Sequence, residues 1–138
     1  MNLTFHAYSD DSGSSDKRFQ CLGVISLSEE TAVLLRKELR QILEEKHLEE
    51  LKFEELRGHS TKMRAASCFI KQSINYCVKG LMRIDVLLWD HQDERHSVRG
   101  RDDTENLERM YYKILVYVAR RWNKIGWWFF PDEQSGVD

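Results

Sequence analysis

Short apolar segments with strand character alternate along this chain with longer segments whose apolar residues recur at helical spacing. Leu3, Phe5 and Ala7 alternate with polar residues, which is the period of a β-strand with one buried face. Three further segments have strand character, at residues 19–27, 83–89 and 127–130. We predict four strands, with the first two paired as a hairpin and the last, wholly apolar strand buried on both faces.

Between these strands the sequence predicts three amphipathic helices. The first begins after Ser28, because a serine followed by Glu29 and Glu30 is typical of a helix N-terminus. The second runs from about Thr61 to Gly80, and the third, capped by Asp103 or Thr104, continues to Trp122. The apolar stripe of the third helix consists of Leu107, Tyr111, Ile114 and Val118. Residues 49–53 fit either a short strand or a helix end, and the whole pattern predicts an α/β fold.

Length and composition favour one globular domain over residues 1–138, with a substantial core. No apolar stretch approaches the roughly 20 residues that a bilayer-spanning helix needs, so we expect no membrane insertion. The N-terminus lacks a basic start followed by an apolar signal core, and the three cysteines suggest no disulfide framework. We therefore expect a cytoplasmic protein.

Charge is distributed unevenly. The formal net charge of -2 excludes a nucleic-acid binder that relies on bulk charge. Residues 56–84 nevertheless contain no acid and six bases, which are Arg57, Lys62, Arg64, Lys71, Lys79 and Arg83. This segment is either a solvated helix face or a patch that contacts phosphates.

An aspartate follows three of the predicted strands at their carboxyl ends: Asp10, Asp90 and Asp132. In open α/β sheets ligands bind outside the carboxyl ends of the strands, so these side chains converge if their strands are parallel neighbours. Converging carboxylates repel one another unless a cation neutralises them, and their oxygens suit Mg²⁺ or Mn²⁺. Aspartate is also common in turns, so chance placement is the alternative.

Four short segments resemble an uncharacterised family catalogued as domain of unknown function 3800. They are residues 9–13 (SDDSG), 21–25 (CLGVI), 50–52 (ELK) and 130–135 (FPDEQS). The family's signature is D-E-S-G on the first strand, and the family is grouped with ribonuclease-H-like folds. The first and last segments are the most specific.

This resemblance implies an RNase H-like mixed sheet with an N-terminal β-hairpin, flanking helices and an acidic, metal-dependent site of the nuclease type. Asp10 is then the central metal ligand and Asp132 a second acid. Glu50 is a catalytic candidate through the ELK match, and Asp90 through its position at a strand end. Asp11 stands where the family has glutamate, and it joins Asp10, Asp90 and Asp132 in the expected metal set.

The chain also departs from the family in length. Family members continue into a further helical segment that carries another acid, whereas this sequence stops at Asp138. The resemblance therefore implies a fragment or a C-terminally truncated member.

The chemistry expected of such a site is phosphodiester hydrolysis of DNA or RNA with two metal ions about 3.5 to 4 Å apart. Phosphate contacts are expected from Lys52, Arg57, Lys62 and Arg64, which position a strand without reading its bases. The alternative is a nucleic-acid-binding or interaction module that keeps the fold without activity. A phosphoesterase for a small nucleotide is a third reading.

Two further features have open interpretations. The charged loop at residues 93–103 contains Arg95 and Arg101, which either contact substrate or form a solvated turn. Trp122, Trp127 and Trp128 either stack on bases or belong to the core.

Overall fold

The computed structural model of the chain describes residues 4–12, 17–96, 98–123 and 126–132. Four strands are formed: β1 (Thr4–Ser12), β2 (Phe19–Ser28), β3 (Met82–Asp90) and β4 (Gly126–Pro131). Three α-helices are formed: α1 (Glu29–Glu45), α2 (Ser60–Val78) and α3 (Asp103–Trp122). Residues 49–52 adopt neither helix nor strand, and Phe53–Glu55 form a 3-10 turn. The predicted α/β class is confirmed.

The strands form a mixed sheet in the order β3-β2-β1-β4. β4 runs parallel to β1, in a register that pairs Thr4 with Gly126 and Ser9 with Pro131. The His91 N–H donates to the Arg18 carbonyl at 2.8 Å, so the end of β3 lies beside the start of β2. β1, β3 and β4 consequently end at one edge of the sheet. Residues 13–16, in which we predicted the hairpin turn, lie outside the described residues.

The chain divides into two compact units. The first, here called the sheet unit, comprises Met1–Ser26 and Arg83–Asp138, and the second, the helical unit, comprises Leu27–Met82. α3 belongs to the sheet unit, whereas α1 and α2 belong to the helical unit.

One face of the sheet packs against α3 to form the core of the sheet unit. Ala7, Leu22, Val24 and Trp89 contribute from the strands, and Met110, Tyr111, Ile114 and Val118 contribute from the helix. Three of the four residues predicted on the apolar stripe of α3 are therefore buried in this core. Trp122 packs against it as well, and its indole N–H donates to the Ser26 hydroxyl at 2.8 Å.

The prediction that β4 is buried on both faces is wrong. Trp127 and Phe129 pack against the core, but Trp128 is 62% exposed and Phe130 is 39% exposed. Successive side chains on a strand point to opposite faces, and in the described chain only one face of this strand meets the core cluster. Of the tryptophans with open interpretations, Trp122 and Trp127 are packing residues and Trp128 is a surface residue.

Polar contacts join the two helices of the helical unit, in addition to the buried apolar residues Ala32, Leu35 and Ala65. Glu38 of α1 accepts hydrogen bonds from Tyr76, at 2.9 Å, and from Gln72, both on α2. Ser28 caps α1 as predicted, because its side chain accepts the Thr31 N–H at 3.2 Å. Gly80 follows α2 at φ 70, a left-handed conformation that glycine adopts without steric cost.

The N-cap of α3 differs from the prediction by one residue. The side chain of Asp102 accepts the Glu105 N–H at 2.8 Å, so Asp102 is the cap in place of Asp103 or Thr104. Three consecutive residues of cap-forming type make this boundary ambiguous in the sequence. No helix among the described residues is long and apolar enough to cross a bilayer.

Candidate active site

Asp10 and Asp132 lie side by side at the carboxyl edge of the sheet. The parallel register pairs Ser9 with Pro131, so these aspartates occupy the next positions on the two strands. The Asp132 N–H donates to the Ser9 carbonyl at 3.1 Å, which extends the ladder beyond the end of β4. Both residues are exposed. Two acids separated by more than a hundred residues in sequence are thus brought to neighbouring positions by one strand pairing.

Asp11 interacts with both of these acids. It is half-buried, and the Tyr111 hydroxyl of α3 donates to its Oδ1 at 3.4 Å. Burial raises the pKa of the Asp11 carboxyl, and the negative charges of Asp10 and Asp132 raise this pKa further, against hydrogen bonds from Tyr111 and Gln20 that lower it. Three carboxylates therefore share one electrostatic environment, and ionising Asp11 is opposed by its neighbours.

An aromatic layer lies on the same side of β1 as Asp10. Tyr8, two residues earlier, stacks on Phe130 with ring centroids 4.9 Å apart, and His6 meets Phe130 edge-on at 5.1 Å. The Tyr8 hydroxyl and His6 Nδ1 lie 3.0 Å apart in a hydrogen bond. These rings give the two exposed aspartates an apolar flank, and charge interactions are stronger beside such a surface than in open solvent.

Asp90 is the last residue of β3 and lies at the same edge of the sheet, but its carboxylate contacts a different residue. Its carboxylate accepts hydrogen bonds from Arg18, whose Nη2 lies 3.0 Å from Oδ2, and from the Gln92 N–H at 3.0 Å. The Arg18 guanidinium lowers the pKa of the Asp90 carboxyl and keeps it charged. β2 lies between β3 and β1, and two strand spacings amount to about 10 Å. The structure thus separates Asp90 from the Asp10 and Asp132 pair and engages it in an ion pair.

A divalent cation such as Mg²⁺ or Mn²⁺ is the cofactor that the sequence implies, and the carboxylates present fit it chemically. Asp10 and Asp132 offer the oxygen ligands that hard cations prefer, and the pKa of Asp11 is raised first by burial and then by the negative charges of Asp10 and Asp132. Across residues 4–12, 17–96, 98–123 and 126–132, no group of three or more His, Cys, Asp or Glu side chains has the spacing to hold a metal ion. At this edge of the sheet the adjacent acids Asp10 and Asp132 are the oxygen ligands that a cation would meet.

The other predicted site residues lie in the helical unit. Glu50 and Lys52 form an exposed ion pair at 3.1 Å, and the Glu50 carboxylate raises the pKa of Lys52. Lys62 pairs with Glu55 at 2.5 Å and lowers the pKa of that carboxyl. Arg57 and Arg64 are exposed. The catalytic role of Glu50 and the phosphate contacts of the four bases stay predictions.

Sequence reasoning missed two residues that contact the predicted acids. Arg18 precedes β2, and its pairing with Asp90 becomes apparent only once β3 is known to lie beside β2. Tyr111 was predicted as a core residue of α3, and it is buried, yet its hydroxyl reaches Asp11. A tyrosine on an apolar helix stripe is a signal for such contacts, because a buried hydroxyl usually finds a polar partner.

The fold and this edge define a mixed α/β protein with paired carboxylates at the carboxyl ends of two parallel strands. No family model matches the chain, and no solved structure matches it. It is 34% identical over 141 residues to the uncharacterized protein ORF2′ of Methanothermobacter thermautotrophicus, and 33% identical over 142 residues to the uncharacterized protein ORF2 of the same organism. Each match covers 97% of this chain and 50% of the relative, so the chain spans about half the length of these relatives.

Proposed function

We propose that this chain carries the carboxylate site of a metal-dependent hydrolase that cleaves phosphodiester bonds in nucleic acid. The observation that carries the proposal is the parallel pairing of β1 with β4, since it brings Asp10 and Asp132 to adjacent register positions. Asp11 adds a third carboxylate within electrostatic range of both. Mg²⁺ or Mn²⁺ is the proposed cofactor, and the chemistry of the ligands is the reason.

The proposed fold family is the RNase H-like group to which the domain-of-unknown-function 3800 family is assigned. The sheet order β3-β2-β1-β4 supports this proposal, as does the crossover through α3 from β3 to a strand parallel to β1. The two helices of the helical unit are inserted in sequence between β2 and β3.

In the proposed mechanism the role of the protein's own side chains is to hold and orient the cation. Asp10 and Asp132 would hold the cation through their carboxylate oxygens, and Tyr111 donates to Asp11 from the α3 side. A cation held there would supply Lewis-acid activation of a water and stabilise charge on the phosphate. Tyr8 and Phe130 limit water on the flank of the site.

A cleavage assay tests the proposal. Single-stranded, double-stranded and hybrid substrates are incubated with the protein and Mg²⁺ or Mn²⁺, and Asp10→Asn is compared with wild type. Glu108→Gln is the matched control, because it removes one exposed carboxylate from the same unit at a position outside the site. We expect Asp10→Asn to lower the rate at least a hundredfold, roughly the loss of one electrostatic contribution to catalysis, and Glu108→Gln to leave it unchanged. Identical rates for wild type and Asp10→Asn would overturn the proposal.

A second candidate is a nucleic-acid-binding module without activity. Two contacts favour it: Arg18 engages Asp90 and Tyr111 engages Asp11, so these two predicted metal ligands already have protein partners. If this candidate is correct, nucleic-acid binding persists in Asp10→Asn and weakens in Arg64→Ala. Measured binding without cleavage in either cation would favour it.

A further inference from the structure

A cavity of about 400 Å³ lies in the sheet unit where β3 ends and α3 begins. The residues that matter for its chemistry are Trp89, His91, Arg99, Arg101, Asp103 and Asn106. A smaller cavity of about 130 Å³ shares Trp89, Arg101 and Asn106 with it and adds Arg109 and Lys113. The two cavities therefore adjoin through Arg101 and Asn106.

Four of the five Lys and Arg side chains that line these cavities are uncompensated. The fifth, Arg95 of the smaller cavity, forms an ion pair with Asp93. The side chains of Arg99, Arg101, Arg109 and Lys113 form no ion pair with any residue that the structure describes. One carboxylate, that of Asp103, lines the same space. An excess of positive charge in a concave site attracts anions and raises their local concentration.

The cavity also contains polar groups suited to an oxyanion. The His91 ring packs against Trp89, with centroids 3.9 Å apart, and its Nε2 is buried without a hydrogen-bond partner among the described residues. Arg101 and Asn106 are half-buried, so their positions are more restricted than those of fully exposed side chains. A guanidinium presents paired donors that match phosphate oxygens.

From this cavity we infer a phosphate-binding site that holds one nucleotide of a nucleic-acid strand. Its volume suits a nucleotide better than a bare anion, since ligand sites fall in the range of about 300 to 1,000 Å³. β3 ends at the edge that carries Asp10 and Asp132, so the cavity and the two acids lie at the same edge of the sheet. The assignment of the phosphate to nucleic acid rests on the proposed function, whereas the anion site rests on the cavity alone.

Fluorescence anisotropy tests the inference directly, with EDTA present so that cleavage plays no part. The probes are a short fluorescein-labelled single-stranded oligonucleotide with a 5′-phosphate and the same oligonucleotide without it, with inorganic phosphate as competitor. Arg99→Gln combined with Arg101→Gln is compared with Arg121→Gln, which changes an exposed arginine of the same unit outside both cavities. We expect at least tenfold weaker binding for the double variant and less than twofold for the control.

Salt dependence separates a specific site from bulk charge. Each phosphate contact on a single strand contributes about -0.7 to the slope of log K against log salt, so the double variant loses about 1.4 from that slope. Asp103→Asn removes the opposing carboxylate and is expected to tighten binding two- to fivefold. Circular dichroism checks that every variant is folded.

Each outcome has a defined meaning. Equal losses for Arg121→Gln and the double variant overturn the inference, as does weaker binding in Asp103→Asn. The absence of binding by either oligonucleotide overturns the nucleotide assignment. Pocket variants that lose binding while Asp10→Asn keeps it support the inference, whatever the cleavage assay shows for the metal site.

Discussion

Asp10 and Asp11 are adjacent in sequence but point to opposite sides of β1, and their environments differ accordingly. Asp10 is exposed beside Asp132, whereas Asp11 is half-buried against Tyr111. The raised pKa of Asp11 means that the folded chain holds this proton to a higher pH than the unfolded chain does. Stability contributed by the carboxyl therefore falls as pH rises through its ordinary value toward its folded value.

The substitution Asp10→Asn is therefore expected to stabilise the protein at pH 7 when divalent cations are removed by EDTA. The gain is about 0.5 kcal/mol, the size of a repulsion between two carboxylates near solvent. Urea unfolding at pH 7 measures it, with Glu108→Gln as control. A destabilised Asp10→Asn protein would contradict the repulsion described here.

Arg18 sets the charge state of Asp90. Since Arg18 lowers the pKa of that carboxyl, the contribution of the pair to stability is complete above the ordinary value of aspartate and is lost as pH falls through the lowered value. In Arg18→Gln the pKa of Asp90 is expected to rise toward its ordinary value, as measured by NMR titration of the carboxyl carbon. An unchanged titration in Arg18→Gln would mean that the Gln92 N–H alone lowers this pKa.

Among the helices and strands, α3 begins at a side-chain cap, the hydrogen bond from the Glu105 N–H to Asp102. Asp102→Ala removes the cap that accepts the Glu105 N–H and is expected to cost about 1 kcal/mol of folding free energy. Thr104→Ala is the comparison, and it is expected to cost less than about 0.5 kcal/mol because its side chain caps nothing in the structure. Urea denaturation ranks the two, and the reverse order would return the cap to the position that the sequence suggested.

The two faces of β4 make a second comparison. Trp127→Ala is expected to cost about 2 to 3 kcal/mol, because Trp127 packs against the core and against Phe5 at 5.3 Å. Trp128→Ala is expected to change stability by about 0.5 kcal/mol or less, since the ring is 62% exposed. Thermal and urea unfolding of both variants measure the difference, and equal costs would mean that both faces of β4 are covered.

The sequence predicts the helices and strands of this chain well, but it predicts less well which residues pack against them. Strand and helix periods located four strands and three helices, because those periods are local properties of the chain. The exposure of Trp128 was not predictable, since it depends on which strands and helices flank β4. The same limit applies to Asp90, whose partner Arg18 lies 72 residues earlier in the sequence.

At the scale of the whole molecule, sheet order decides which acids meet. β1 and β4 are parallel neighbours, so Asp10 and Asp132 become adjacent, while β2 keeps Asp90 apart. The sequence predicts that Asp10, Asp90 and Asp132 converge if their strands are parallel neighbours, and the sheet order meets this condition for Asp10 and Asp132. The basic cavity at the start of α3 lies in the sheet unit as well, so one unit contains both proposed ligand sites.

Paramagnetic NMR with Mn²⁺ tests the central claim, that Asp10 and Asp132 hold one divalent cation. Substoichiometric Mn²⁺ is added to ¹⁵N-labelled wild type and to Asp10→Asn, and the loss of amide signal intensity is followed residue by residue. We predict selective broadening of the Asp10, Asp11 and Asp132 amide signals in wild type, and at least tenfold more Mn²⁺ for the same effect in Asp10→Asn. Broadening that is absent at these amides, or equal in the two proteins, would contradict it.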